Sequence, residues 1–103
     1  MFVARFSVDV RFGHKDDFTL AMKKWQAEVG SKVGWDNQRV LTGSIGAPES
    51  RFEMEMQVSS LADLENAWAR MVELPHHKVY AKELEQHIVS GSNRWEVFRV
   101  VQM

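Results

Sequence analysis

The chain contains no cysteine. That absence excludes disulfides, thiol catalysis and cysteine-ligated zinc or iron–sulfur sites, and leaves the redox compartment open. It has almost no net charge, formally −1 at pH 7, so nothing draws it to nucleic acid or anionic lipid. It also lacks any apolar run of the length a membrane-crossing helix needs. A strand pattern starts at Phe2 and Arg5 interrupts the apolar residues there, so no signal peptide is expected and a cytoplasmic protein is the default. Against these absences stand four tryptophans and six phenylalanines in 103 residues, enough for one domain spanning 1–103 and no second core.

Phe2 to Phe12 alternates, with Phe2, Ala4, Phe6, Val8, Val10 and Phe12 on one face and Val3, Arg5, Ser7, Asp9 and Arg11 on the other. Period two over this length predicts a strand with one buried face. Phe18, Ala21, Met22, Trp25 and Val29 then follow helical spacing, with Asp16 or Asp17 placed to cap the start and Gly30 and Gly34 to mark the end. Gln38–Ile45 and Arg51–Val58 read as strands joined by the turn-forming segment Gly46–Ser50. Ser60 opens a helix with Leu61, Leu64, Trp68, Met71 and Val72 on one stripe; Pro75 divides it from a second piece carrying Tyr80, Leu84 and Ile88. Arg94 to Val101 is the last strand.

The order β-α-β-β-α-β predicts a ferredoxin-like α+β domain: a four-stranded antiparallel sheet with its helices on one face and the first and third strands central. The opposite face of those strands then carries Arg5, Ser7, Asp9 and Arg11 beside Arg51, Glu53, Glu55 and Gln57, with cross-strand Arg–Glu pairs expected. Either this face is solvated or it lines a polar lumen between two subunits. Val3, Trp35, Trp95 or Phe98, and Val100 exceed what one small core absorbs and favour an interface. RNA-recognition domains share the element order but need open-face aromatics and basic residues; Asp9, Glu53 and Glu55 argue against that partner. No metal site is expected: adjacent His76 and His77 point about 100° apart on a helix and cannot chelate together.

Three stretches carry a resemblance over nearly the whole chain. They are Gly43-Ser44-Ile45-Gly46 leading into Arg51-Phe52-Glu53-Met54-Glu55; Ser60-Leu61-Ala62-Asp63-Leu64-Glu65-Asn66-Ala67-Trp68; and Pro75-His76-His77. Together they resemble the dimeric α+β barrel superfamily, and the second stretch is most similar to its NIPSNAP-like branch, alongside the antibiotic-biosynthesis monooxygenases. The resemblance implies a homodimer formed through the sheet face and a small hydrophobic or aromatic ligand held between helices and sheet. Trp25, Trp68, Tyr80, His76 and His77 would be the ligand-binding residues, and His76, His77 and Tyr80 the catalytic candidates if the protein is an enzyme. The haem-degrading branch implies haem ligated by His76 or His77 below Trp68, although Ser7 stands where that branch has Asn. Cofactor-independent oxygenation would need the same cleft, apolar for a planar substrate, with polar groups to steady a carbanion or peroxide. The bland alternative is a structural or interaction protein in which Trp68 only packs and the histidines only face water.

Overall fold

The computed structural model describes residues 1–35 and 37–103. Strand β1 (Phe2–Asp9) is followed by helix α1 (Lys15–Glu28), a short 3-10 turn (Gly30–Val33) and strand β2 (Arg39–Thr42). Strand β3 (Arg51–Val58), helices α2 (Leu61–Glu73) and α3 (Pro75–Glu85), and strand β4 (Arg94–Arg99) complete the order. The strands form one antiparallel sheet in the order β2-β3-β1-β4, with β1 and β3 central as their pattern predicts. Three helices accompany the four-stranded sheet, because Pro75 ends one helical piece and begins the next. Its missing amide is harmless at the first position of α3.

Register fixes which residues share a face. Ala4 pairs with Met56 and Val97, and Phe6 with Met54 and Trp95, so the core side of the sheet is continuous across three strands. Onto it α1 lays Phe18, Ala21 and Trp25, and α2 lays Leu64, Ala67 and Met71, all buried. The buried residues form two clusters, the larger built around Ala4, Trp25, Met56 and Leu64, the smaller around Val8, Val10, Phe18 and Phe52. Phe18 and Phe52 meet edge to face at 4.9 Å, an arrangement that adds to the burial of both rings.

The opposite face is polar at its centre. Arg5 Nη2 donates to Glu55 Oε2 at 2.7 Å, Arg39 reaches the other carboxylate oxygen, and Arg5 Nε lies 3.6 Å from Glu53. Hydrogen bonds from Arg5, then Arg39, hold the Glu55 carboxyl below its ordinary pKa. Flanking this network on the same face are Val3 and Phe98, which pair across β1 and β4, and Leu41 beside Glu53.

Several expectations need correction. Regular pairing of β1 stops at Asp9; Val10 makes only an isolated bridge to Ile88, and Phe12 stands fully in solvent instead of on the core face. The chain turns at Gly13 to enter α1, so alternation no longer reports a sheet face there. The N-cap of α1 is His14, and Asp16 and Asp17 occupy the first turn, where carboxylates still complement the helix dipole. Strand β2 is shorter than Gln38–Ile45, and Ile45 is exposed in the turn. Leu61 and Val72 lie outside the buried stripe of α2, which Ala67 completes instead. Trp35 is not surplus: it is 2 % exposed, packed 6.1 Å from Trp25 and 6.0 Å from Trp95. Gly34 makes that possible, taking the left-handed conformation (φ 88°) that turns the chain back toward the core.

Candidate ligand cleft

Between the helical layer and the β1–β4 side of the sheet lies a cleft of about 380 Å³. Its floor is Phe6 and Val8 of β1 with Met54 of β3. One wall is Phe18, Met22 and Trp25 from α1; the other is Trp68 and Met71 from α2 with His77, Ala81 and Leu84 from α3. Trp95, Glu85, Asn93 and Ile88 complete the lining, and the first three are at least partly open to water, which places them at the mouth. Helices α1 and α3 pack on each other, and the core side of β4 is left incompletely covered, with Trp95 and Val97 about two-fifths exposed.

Aromatic rings dominate the lining. Trp68 meets Trp95 edge to face at 5.3 Å, Phe6 lies 5.3 Å from Trp95, and Trp35 and Trp25 continue the chain of contacts. All four tryptophans therefore form one connected cluster. The polar content is small and specific. Trp25 Nε1–H donates to His77 Nδ1 at 3.3 Å, and burial pushes the His77 pKa below its ordinary value. Trp68 Nε1–H is buried with no partner among the described residues. A buried donor left unmatched costs about 1–3 kcal/mol.

Of the five residues expected to hold a ligand, the structure brings three together: Trp25, Trp68 and His77 line the cleft. Tyr80 is partly buried against the larger core cluster and does not line it, and His76 is exposed, stacked on Tyr80 at 6.2 Å. Phe6, Met22, Met54, Ala81, Leu84, Trp95, Glu85 and Asn93 were not foreseen as lining residues. The available signal was the core register of β1 and the shared face of Trp95 with Phe6, which becomes visible only once the β1–β4 pairing is known. A larger concavity, about 580 Å³, runs along the outer side of α2 past Asp63, Asn66, Arg70 and Glu73. It is polar, open and separate from the aromatic cluster. Among the described residues no group of three or more histidine and carboxylate side chains is placed to hold a metal ion.

Haem, the cofactor implied by one branch of the resemblance, does not fit this lining. The ionisable residues on it are His77 and Glu85, with no lysine or arginine to meet propionates. Because His77 Nδ1 accepts from the Trp25 indole, the neutral ring carries its proton on Nε2 and offers iron no lone pair.

No family model matches the sequence, and no curated protein matches it. Solved structures do match. A NIPSNAP family protein from Agrobacterium tumefaciens superposes with a TM-score of 0.84 at 17% identity, covering 97% of this chain and 85% of that one. A NIPSNAP-like domain protein from Burkholderia xenovorans gives 0.80 at 14% identity, over 97% of this chain and 84% of its own. SnoaB, a cofactor-independent oxygenase from Streptomyces nogalater, gives 0.73 at 13% identity, over 99% and 94%. The structural neighbours are thus NIPSNAP and antibiotic-biosynthesis-monooxygenase-like proteins, and at such identities the likeness establishes the shared fold. Among the described residues no helix is long and apolar enough to cross a membrane.

Proposed function

We propose that this protein binds a small hydrophobic or aromatic molecule in the cleft between helices and sheet, and works as a homodimer joined through the sheet face. The observation that supports binding is the cleft itself: about 380 Å³, walled by Phe6, Trp25, Trp68 and Trp95, with His77 as the inner polar side chain. Small-molecule sites are typically concave, mainly apolar, and furnished with a few placed polar groups. Dimerisation is supported by apolar Val3, Leu41 and Phe98 flanking the Arg5–Glu55–Arg39 network, a pattern suited to a partner sheet enclosing the charged row.

Titration with a neutral polarity-sensitive dye such as Nile red tests the cleft. Saturation at one dye per chain is expected, with affinity reduced at least about tenfold by Ala81→Trp, which puts an indole into the space. Binding unaffected by that substitution would place the dye elsewhere and defeat the reading.

A second reading is favoured by one feature, a neutral histidine facing an apolar, partly closed space. A cofactor-independent oxygenase needs a hydrogen-bond donor to steady the oxyanion beside an activated carbon, a role open to the Nε2–H of an imidazole whose Nδ1 accepts from an indole, and one neighbour in fold is described as such an enzyme. Oxygen uptake with a reduced polycyclic phenol such as dithranol, above the uncatalysed rate and lost in His77→Phe, would support it. A rate equal to buffer would sink it.

A further inference from the structure

We propose that His14 and His87 together form a two-imidazole site for a divalent transition-metal ion such as zinc, where the start of α1 meets the end of α3. The site is separate from the aromatic cleft, whose lining contains neither residue.

The spacing of the two rings carries the case. His14 Nδ1 and His87 Nδ1 are 3.1 Å apart, with ring centroids at 5.3 Å and planes inclined at 54°. Zinc–imidazole bonds are about 2.0–2.1 Å long, so one ion bonded to both nitrogens would hold them at about 98°, between octahedral and tetrahedral geometry. Without metal the contact is a hydrogen bond in which one Nδ1–H donates and the other Nδ1 accepts, so the two neutral rings are opposite tautomers. With metal, both Nδ1 lone pairs bind the ion and both Nε2 atoms carry protons. The donor ring only transfers its proton from Nδ1 to Nε2 through solvent, so the neutral pair loses no proton overall.

The backbone sets the rings in place beforehand. The Arg11 amide donates to the His87 carbonyl at 2.8 Å, and the Arg11 carbonyl accepts from the His14 amide at 3.0 Å, so one residue clamps both histidines. The isolated bridge between Val10 and Ile88, and the Val89 amide donating to the Asp9 carbonyl at 2.8 Å, tie the same two segments together. Ligands positioned in advance lose little freedom on binding. The two histidines are 73 positions apart, so no ligand spacing marks them in the sequence.

Both histidines are half-buried, and among the described residues no third histidine or carboxylate is placed to join them. Water therefore completes the coordination, which makes the ion exchangeable and not a structural one. Imidazole nitrogen also selects the ion: zinc, copper, nickel and cobalt suit it, whereas magnesium and calcium require oxygen. Arg11 and Lys15 temper the affinity with positive charge, although Arg11 Nε is turned to the Ile88 carbonyl and Lys15 Nζ lies 3.6 Å from Glu49.

Zinc chloride titrated calorimetrically into the full chain, free of any affinity tag, tests the site, with magnesium chloride as the comparison. One zinc per chain is expected and no magnesium binding. His14→Ala and His87→Ala should each weaken zinc at least about tenfold, and His76→Ala should leave it unchanged. Should a variant fail to fold, nitrogen-15 spectra of the histidine rings decide on the unmodified chain: zinc should move the Nδ1 signals of His14 and His87 together and leave those of His76 and His77 in place. No saturable zinc binding below about 1 mM, binding that survives both substitutions, or shifts led by His76 or His77 would overturn the proposal.

Discussion

At the residue scale, the burdens on single side chains are unequal. Leu64 is 2 % exposed and sits between α2 and the sheet core, so Leu64→Ala should lower unfolding free energy by about 2–5 kcal/mol in a urea titration. A loss under about 1 kcal/mol would mean the helical layer is looser than its packing indicates. His77 governs a pH effect whose sign follows from its depressed pKa. Above the ordinary value of 6.5 neither the folded nor the unfolded chain protonates it, and its full contribution is present. As pH falls below 6.5 the unfolded chain takes up the proton first, so stability declines until pH passes below the folded value and the loss levels off. His77→Asn should flatten that part of the stability profile between pH 7 and 5; an unchanged slope would show that the ring is not held neutral. Trp25 and Trp68 both lie on apolar helical stripes, where spacing alone reads as core packing; the family resemblance, not their pattern, named them as cleft residues. His77 was legible only as one of a pair, since nothing local distinguishes it from His76. Its distinction is the indole of Trp25, fifty-two positions earlier in the chain.

Elements succeed or fail by their ends. The hydroxyl of Ser60 accepts from the Asp63 amide at 3.1 Å, so Ser60→Ala should cost about 0.5–2 kcal/mol by leaving that amide unpaired at the start of α2. Gly43 presents a sharper case. A Cβ there would collide with the Pro48 carbonyl oxygen, while the Gly43 amide donates to the Arg51 carbonyl across the β2–β3 turn. Gly43→Ala should therefore destabilise more than Ser60→Ala, read as a larger drop in denaturation midpoint; the reverse order would mean that this turn yields readily. Strand interiors were legible from period two because one face of β1 and β3 is covered by helices. Strand ends were not, and Phe12 shows why. Alternation continued past Asp9 by composition alone, after the chain had left its pairing partners.

For the whole molecule, the sheet's polar side and the cleft pose separate questions. If two copies join through that side, light scattering should report twice the chain mass, and Phe98→Glu should return the protein to the single-chain mass by setting a charge among the flanking apolar residues. A single-chain mass at all concentrations would contradict the dimer without touching the cleft. The β-α-β-β-α-β order was legible in full because every element carries its own periodicity. The lining of the cleft was not, since it exists only once β4 pairs beside β1 with its core side left partly open, a property of the assembled layers. The most direct measurement exploits the four tryptophans. In a nitrogen-15 spectrum of the indole groups, saturating Nile red should shift Trp25, Trp68 and Trp95 and leave Trp35 unchanged, because the first three line the cleft and Trp35 does not. Four unmoved resonances, or movement led by Trp35, would contradict a ligand site in this cleft.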